Sequence, residues 1–214
     1  MTTSDKSTPP PGWGPRGLDL LLSVFPAGQL SEIVGPWSSG ASSLLLAVVA
    51  RATSSGGQAA LVDGADAFDP ASARAAGVDL EKLLWVKCGG RLRAAFSAAD
   101  VLARCPGFAL VALDLGDSPL IHREIIPPAH YRRLKIAAEQ GRSALVLRVP
   151  RPLAGNAAAL LVSLRRIESR WIGRVHPTRF AGFTSEARIL RSRSRFPSEH
   201  LLREGAGVAI EWQL

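Results

Sequence analysis

The residues whose types and spacing suit chemistry are GPWSSGASS, residues 35–43. A phosphate-binding loop has the form Gly, any four residues, Gly, Lys, then Ser or Thr. Its glycines let backbone N–H groups wrap a phosphate while the Lys neutralises it. Gly35, Gly40 and Ser42 are in register with that pattern, with Ser38 and Ser39 inside the loop, but the Lys position holds Ala41. A methyl group cannot attract the β- and γ-phosphates or offset charge that develops during transfer. The stretch therefore reads as the scaffold of a nucleotide-hydrolysing domain without its chemistry. Hydroxyls at Ser38, Ser39 and Ser42 are equally expected as caps for the free N–H groups of a helix start. That helix end would still attract an anion such as sulfate.

Such a loop needs a strand before it and a helix after it. Residues 30–34 are an apolar, strand-like run, and Leu44, Leu45, Val48 and Val49 put an apolar stripe on a helix over residues 42–53. Further along, residues 59–63, 83–87, 108–114 and 143–149 read as buried strands, with helices over 94–104 and 129–140. Strands this hydrophobic, alternating with helices, imply an α/β domain with a parallel sheet covered on both faces. Beyond Asn156 the spans 159–171, 187–195 and 207–213 read as strands without intervening helices, and predict an antiparallel extension of the same sheet. A short helix is expected over residues 17–24. Residues 1–16, with Pro9, Pro10, Pro11 and Pro15, read as a flexible tail carrying Trp13, which leaves residues 17–214 as one domain.

Composition narrows the function classes. At 214 residues and 47% hydrophobic content the chain can bury one full core. There is no apolar run of roughly 18 residues to span a bilayer and no signal-peptide pattern, so a cytoplasmic protein is expected. Cys88 and Cys105 are too few for a disulfide framework or a metal site, and are expected as buried thiols. The net charge is +8, and it is unevenly spread. Residues 131–214 hold 16 Lys/Arg against 6 Asp/Glu, and all but Lys135 of those cations are Arg. Such a field attracts nucleic acid or an acidic protein surface.

The order of these pieces resembles the core of the RecA family. The loop at 35–43 looks like the RecA phosphate loop with its Lys replaced. LVDGADAFDP (residues 61–70) is similar to the RecA segment that carries the catalytic Glu, and FALVALDLGDSP (residues 108–119) to the second acidic motif, with Asp114 as its carboxylate. The resemblance places the catalytic Glu on Ala65, with Asp66 displaced by one residue, and the adenine-stacking Tyr on Ser72, while Asp69 is retained. Losing one transition-state charge partner costs on the order of 3 kcal/mol, so the expectation is no ATP hydrolysis, no catalytic residues and no cofactor. Few residues separate Leu147 from Gly155, where the RecA family carries its second DNA-binding loop. Among RecA-like proteins without chemistry, PPAHYRRLKIAAEQGRSALVLR (residues 127–148) resembles the ImuA family. That resemblance implies a DNA-damage (SOS) role in error-prone translesion synthesis. The implied partners are an ImuB-like inactive Y-family polymerase, an error-prone DNA polymerase, and RecA or DNA. A SulA-like cell-division inhibitor shares the degenerate fold and remains an alternative.

The basic strands are the candidate interface for DNA or a partner. A strand over 187–195 would line up Arg191, Arg193 and Arg195 on one face, about 7 Å apart, where they could follow a phosphate backbone or protect a sheet edge. Arg165, Arg166, Arg170 and Trp171 could add a guanidinium and aromatic surface for bases. His122, His130, His176 and His200 show no ligand spacing.

Overall fold

The computed structural model describes residues 22–116, 121, 126–173, 179–193 and 207–213. The apolar run at Leu30–Val34 forms β1, and the loop after it leads into helix α1, Ala41–Ser54. β2 (Gln58–Asp63), the short helix α2 (Pro70–Ala75), a 3-10 turn at Leu80–Lys82 and β3 (Leu83–Lys87) follow. Then come α3 (Leu92–Arg104), β4 (Phe108–Asp114), α4 (Pro128–Gly141) and β5 (Ala144–Val149). After a 3-10 turn at Gly155–Ala157, the chain closes with β6 (Leu160–Ile172), β7 (Arg179–Ser192) and β8 (Gly207–Gln213).

The eight strands form one sheet in the order β3-β2-β4-β5-β1-β6-β7-β8. Strands β1 to β5 pair in parallel, as their continuous apolar runs require. β6 also pairs in parallel with β1, so the antiparallel part begins one strand later than the sequence suggests, at β7 and β8. Three other expectations need correction. β3 is an edge strand with exposed Leu84 and Trp85, not a buried one. β7 begins well before residue 187 and ends at Ser192, because it pairs with β6 along almost its whole length. Cys105 is half-buried, while Cys88 is buried as expected, and both are free. Among the described residues, no helix is long and apolar enough to cross a membrane. Only the end of the span expected as a helix over 17–24 lies within the described residues.

Each face of the sheet has its own core. One packs α1 against β1, β2 and β4 to β8, and includes Trp212. The other packs α3 and α4 on the opposite face. Asp100, buried on α3, joins those two helices by taking Arg104 Nη2 and Arg133 Nη2, each at 2.9 Å. Burial alone would raise its pKa, but the two guanidinium groups outweigh burial and hold it below the usual aspartate range. This contribution is therefore present above about pH 4 and disappears as pH falls through the lowered folded value. Asp100→Asn should cost about 1 to 2 kcal/mol at pH 7, after allowance for the exposure of both arginines. Urea titrations should show the difference from wild type shrinking toward pH 3; a difference that persists there would point to packing instead.

Candidate functional site

The carboxyl ends of the parallel strands bring the sequence-marked residues to one rim. In the loop between Val34 and Ala41, Gly40 adopts φ +92° at the N-cap of α1, so of the three serines expected to cap the helix only Ser39 does so. Ser39 Oγ accepts a 3.4 Å bond from the Ala41 N–H, whereas Ser38 (φ 59°) and Ser42 are exposed. The glycines are needed because the chain's own side chains take the space. A Cβ on Gly35 would overlap Ser39 Oγ and lie 2.9 Å from the Leu164 carbonyl oxygen. One on Gly40 would lie 2.6 Å from Trp212 Nε1 and 2.8 Å from Ser185 Oγ. Two strands brace the loop from beneath. Trp212 Nε1 on β8 donates to Ser185 Oγ on β7 at 3.0 Å, and Ser185 donates to the Ser39 carbonyl at 2.6 Å. The loop offers backbone dipoles to an anion, but residues 35–43 contain no cationic side chain.

Beside the loop, pairing register sets Lys87, Asp63, Asp114 and Arg148 in one row across β3, β2, β4 and β5. Asp114 accepts the Gly116 N–H at 2.8 Å and faces Arg148 Nη1 at 3.4 Å. Burial pushes its carboxyl above the usual range, with Arg148 opposing the shift. Arg148 Nη1 and the Ala65 Cβ each lie 2.8 Å from where a Gly116 Cβ would sit, so the guanidinium occupies the neighbourhood of the Ala65 methyl. Asp66 turns away to pair with Lys87 at 3.2 Å. Asp63 accepts the N–H groups of Ala67 and Phe68 at 3.0 and 3.1 Å, and Trp85 Nε1 at 3.4 Å. Asp69 caps α2, and the Ser72 hydroxyl bonds to it at 2.6 Å. That bond first, with the Ser72 N–H, holds the Asp69 carboxyl below its usual range. A magnesium nucleotide fits this set poorly: Ala41 is buried, Ser39 fills the loop, and the Asp114 carboxylate already faces Arg148. Among the described residues no three His, Cys, Asp or Glu side chains group to hold a metal ion.

The basic candidates lie on the other half of the sheet. Arg165 pairs with Glu186 at 3.1 Å, and Glu186 also takes Arg188 at 2.8 Å, so Arg188 and then Arg165 hold its carboxyl below the usual range. Arg166 is exposed opposite Ser185. Arg191 donates to the Gly155 carbonyl, and Arg193 to the Asn156 carbonyl at 2.9 Å and its Oδ1 at 3.1 Å. Both therefore hold a turn of their own chain. Arg193 lies just past the end of β7, while Arg195 and Trp13 fall outside the described residues. Gly35, Ser39, Gly40 and Asp114 are brought to one rim; Arg191 and Arg193 are placed near the opposite ends of the strands.

Sequence reasoning missed Glu32, Arg148, Ser185 and Trp212. Glu32 is fully buried on β1, where its Oε1 accepts the N–H groups of Leu153 and Ala154 at 2.7 and 3.1 Å. It thereby fastens the segment that links β5 to β6. The available signal was one ionisable residue inside the apolar strand LSEIV.

Comparison with known proteins follows the same geography. A family model described as the RecA N-terminal domain matches residues 12–125. The chain is 43% identical over 103 residues to protein RecA of Rhodospirillum rubrum, a stretch that is 47% of this chain and 28% of that protein. It is also 43% identical over 103 residues to protein RecA of Chlorobaculum parvum, covering 47% of this chain and 29% of that one. The match thus spans less than a third of either relative. Among solved structures, the RadB recombinase superposes with a TM-score of 0.66 at 17% identity, covering 91% of this chain and 92% of that one. At that identity the likeness is one of fold.

Proposed function

The chain belongs to the RecA N-terminal domain family, and from that premise we propose that it is a RecA-like adaptor that does not hydrolyse ATP. The observation that carries this reading is the loop itself. Ala41 is buried where the family's Lys would stand, and Ser39 fills the interior, held by Ser185 and Trp212. Ala65 and Arg148 beside Asp114 extend the same argument to water activation and metal support. The proposed setting is the DNA-damage (SOS) response, with the chain acting in ImuA-type error-prone translesion synthesis. Its partners there are an ImuB-like inactive polymerase, an error-prone polymerase, and RecA or DNA. The support is the resemblance at residues 127–148, which fall on α4 and β5.

Purified protein with ATP and magnesium should show no turnover above background, with or without single-stranded DNA. Ala41→Lys should stay inactive, because one restored cation leaves Ala65 and Arg148 unchanged. Robust hydrolysis by the wild-type chain would end the non-catalytic reading. A tagged chain from DNA-damaged cells should bring down polymerase-like proteins; recovery of a cell-division protein in their place would reject the translesion role.

A further inference from the structure

The face of the sheet that α1 covers near the phosphate loop continues outward as an aromatic strip. β6 pairs with β1 only from Leu160 to Ser163, so residues 164–172 project past β1 as an arm with β7 and β8. Ring follows ring along that arm. Trp212 and Phe183 lie 6.2 Å apart, Phe183 and Phe180 6.4 Å, and Phe180 and Trp171 5.0 Å. The strip starts at the loop, because Trp212 packs beneath Gly40, and the same loop turns Trp37 outward with 75% of its surface exposed. Trp171 at the outer end is 57% exposed, while Ile172 and Arg179, which pair with each other, face the other side of the sheet. Arg166 lies on the face of the strip, since it pairs across from Ser185, whose hydroxyl reaches the loop. It makes no ion pair with a carboxylate among the described residues.

We infer that this strip, from Trp37 and Arg166 to Trp171, is the docking surface for an apolar segment of another protein that carries a carboxylate for Arg166. Exposed aromatic area beside an arginine is the composition of an interface core. A nucleic acid would require a cation for each phosphate it passes, but along this strip Arg166 stands alone among the described residues, and Arg170 is committed to Glu211 at 3.3 Å. The rings also pack on one another, so they form a slab and not separate blades between which bases could stack. A second copy meeting this one strip to strip would bring no carboxylate to Arg166, because Glu168 and Glu211 both pair with Thr184 and so lie on the other face of the sheet.

The surface rests on the adaptor reading, and the two fail differently. The probe is a fluorescein-labelled peptide of about 18 residues with Leu and Phe on one helical face and Glu flanking it. A Lys-flanked counterpart and oligothymidylate serve as comparisons, all titrated by anisotropy against the full chain. The Glu peptide should bind, and Trp171→Ser should weaken it by about tenfold or more. Arg166→Glu should reverse the preference between the two peptides, and Val101→Ser, on an exposed helix face, should change nothing. Both Trp171 and Arg166 are exposed, so these variants should keep the wild-type melting temperature. Equal binding of both peptides, equal loss in Val101→Ser, tighter binding of oligothymidylate, or self-association abolished by Trp171→Ser would each overturn the surface. Retention of the polymerase-like partner by a chain carrying both Trp171→Ser and Arg166→Glu would overturn the surface alone. Absence of that partner from the wild-type chain would overturn the adaptor reading.

Discussion

Trp212→Ala should be the most damaging single substitution in the chain, lowering stability by about 3 to 5 kcal/mol and the melting temperature by on the order of 10 °C. Trp212 is 4% exposed and belongs to the core beneath α1, so truncation leaves a cavity under Gly40. It also removes the indole donor to Ser185, whose hydroxyl holds the Ser39 carbonyl. Ser185→Ala removes the hydrogen bonds but keeps the ring, and should cost about 1 to 3 kcal/mol. Thermal unfolding of the two variants separates the contributions. If both lost equally little, the loop would not depend on β7 and β8 for support.

Glu32→Ala should come next, at about 2 to 5 kcal/mol, because it strands two buried N–H groups, those of Leu153 and Ala154. Glu32→Gln keeps the accepting oxygen and should cost far less. The pH dependence distinguishes the carboxylate from the amide. Burial first, against the two N–H bonds and the charge of Arg191, sets the Glu32 pKa above its ordinary value. A raised acid binds its proton more readily when folded, so this group adds stability as pH falls from the folded value toward about 4.3. That sign is opposite to the sign for Asp100. Wild type should therefore gain stability relative to Glu32→Gln as pH falls, as measured by urea unfolding of both proteins at pH 7 and pH 5. A constant difference across that range would mean that Glu32 carries no proton linkage.

Much of the parallel half of the domain was legible from residues alone. Strands buried on both faces must be apolar along their whole length, so β1, β2, β4 and β5 stand out as runs, and the helical stripes of α1 and α4 stand out between them. The helix α2 was missed: its six residues, PASARA, are too short to show a period, although Asp69 before Pro70 is a helix-start signal. β6 was read to within a residue at each end, whereas the first half of β7 was missed because it is half-exposed and lacks a clean apolar alternation. Glu32 was missed, although it is an ionisable residue inside an otherwise mostly apolar strand. Its acceptor role depends on Leu153 and Ala154, which meet β1 only after the chain has passed through four other strands.

By itself the sequence determined the loop pattern with its missing cation, the α/β character and the concentration of arginine toward the C-terminus, because each depends on residue type and near-neighbour spacing. Tertiary structure alone decided what the loop contains and what the arginines hold. Ser185 and Trp212 meet Ser39 and Gly40 through strand pairing, Arg148 comes beside Asp114 across two strands, and Arg191 and Arg193 turn onto Gly155 and Asn156. The physical reason is that period and propensity act over a few residues, whereas hydrogen bonds between distant strands are set by sheet order and register, which no local pattern encodes.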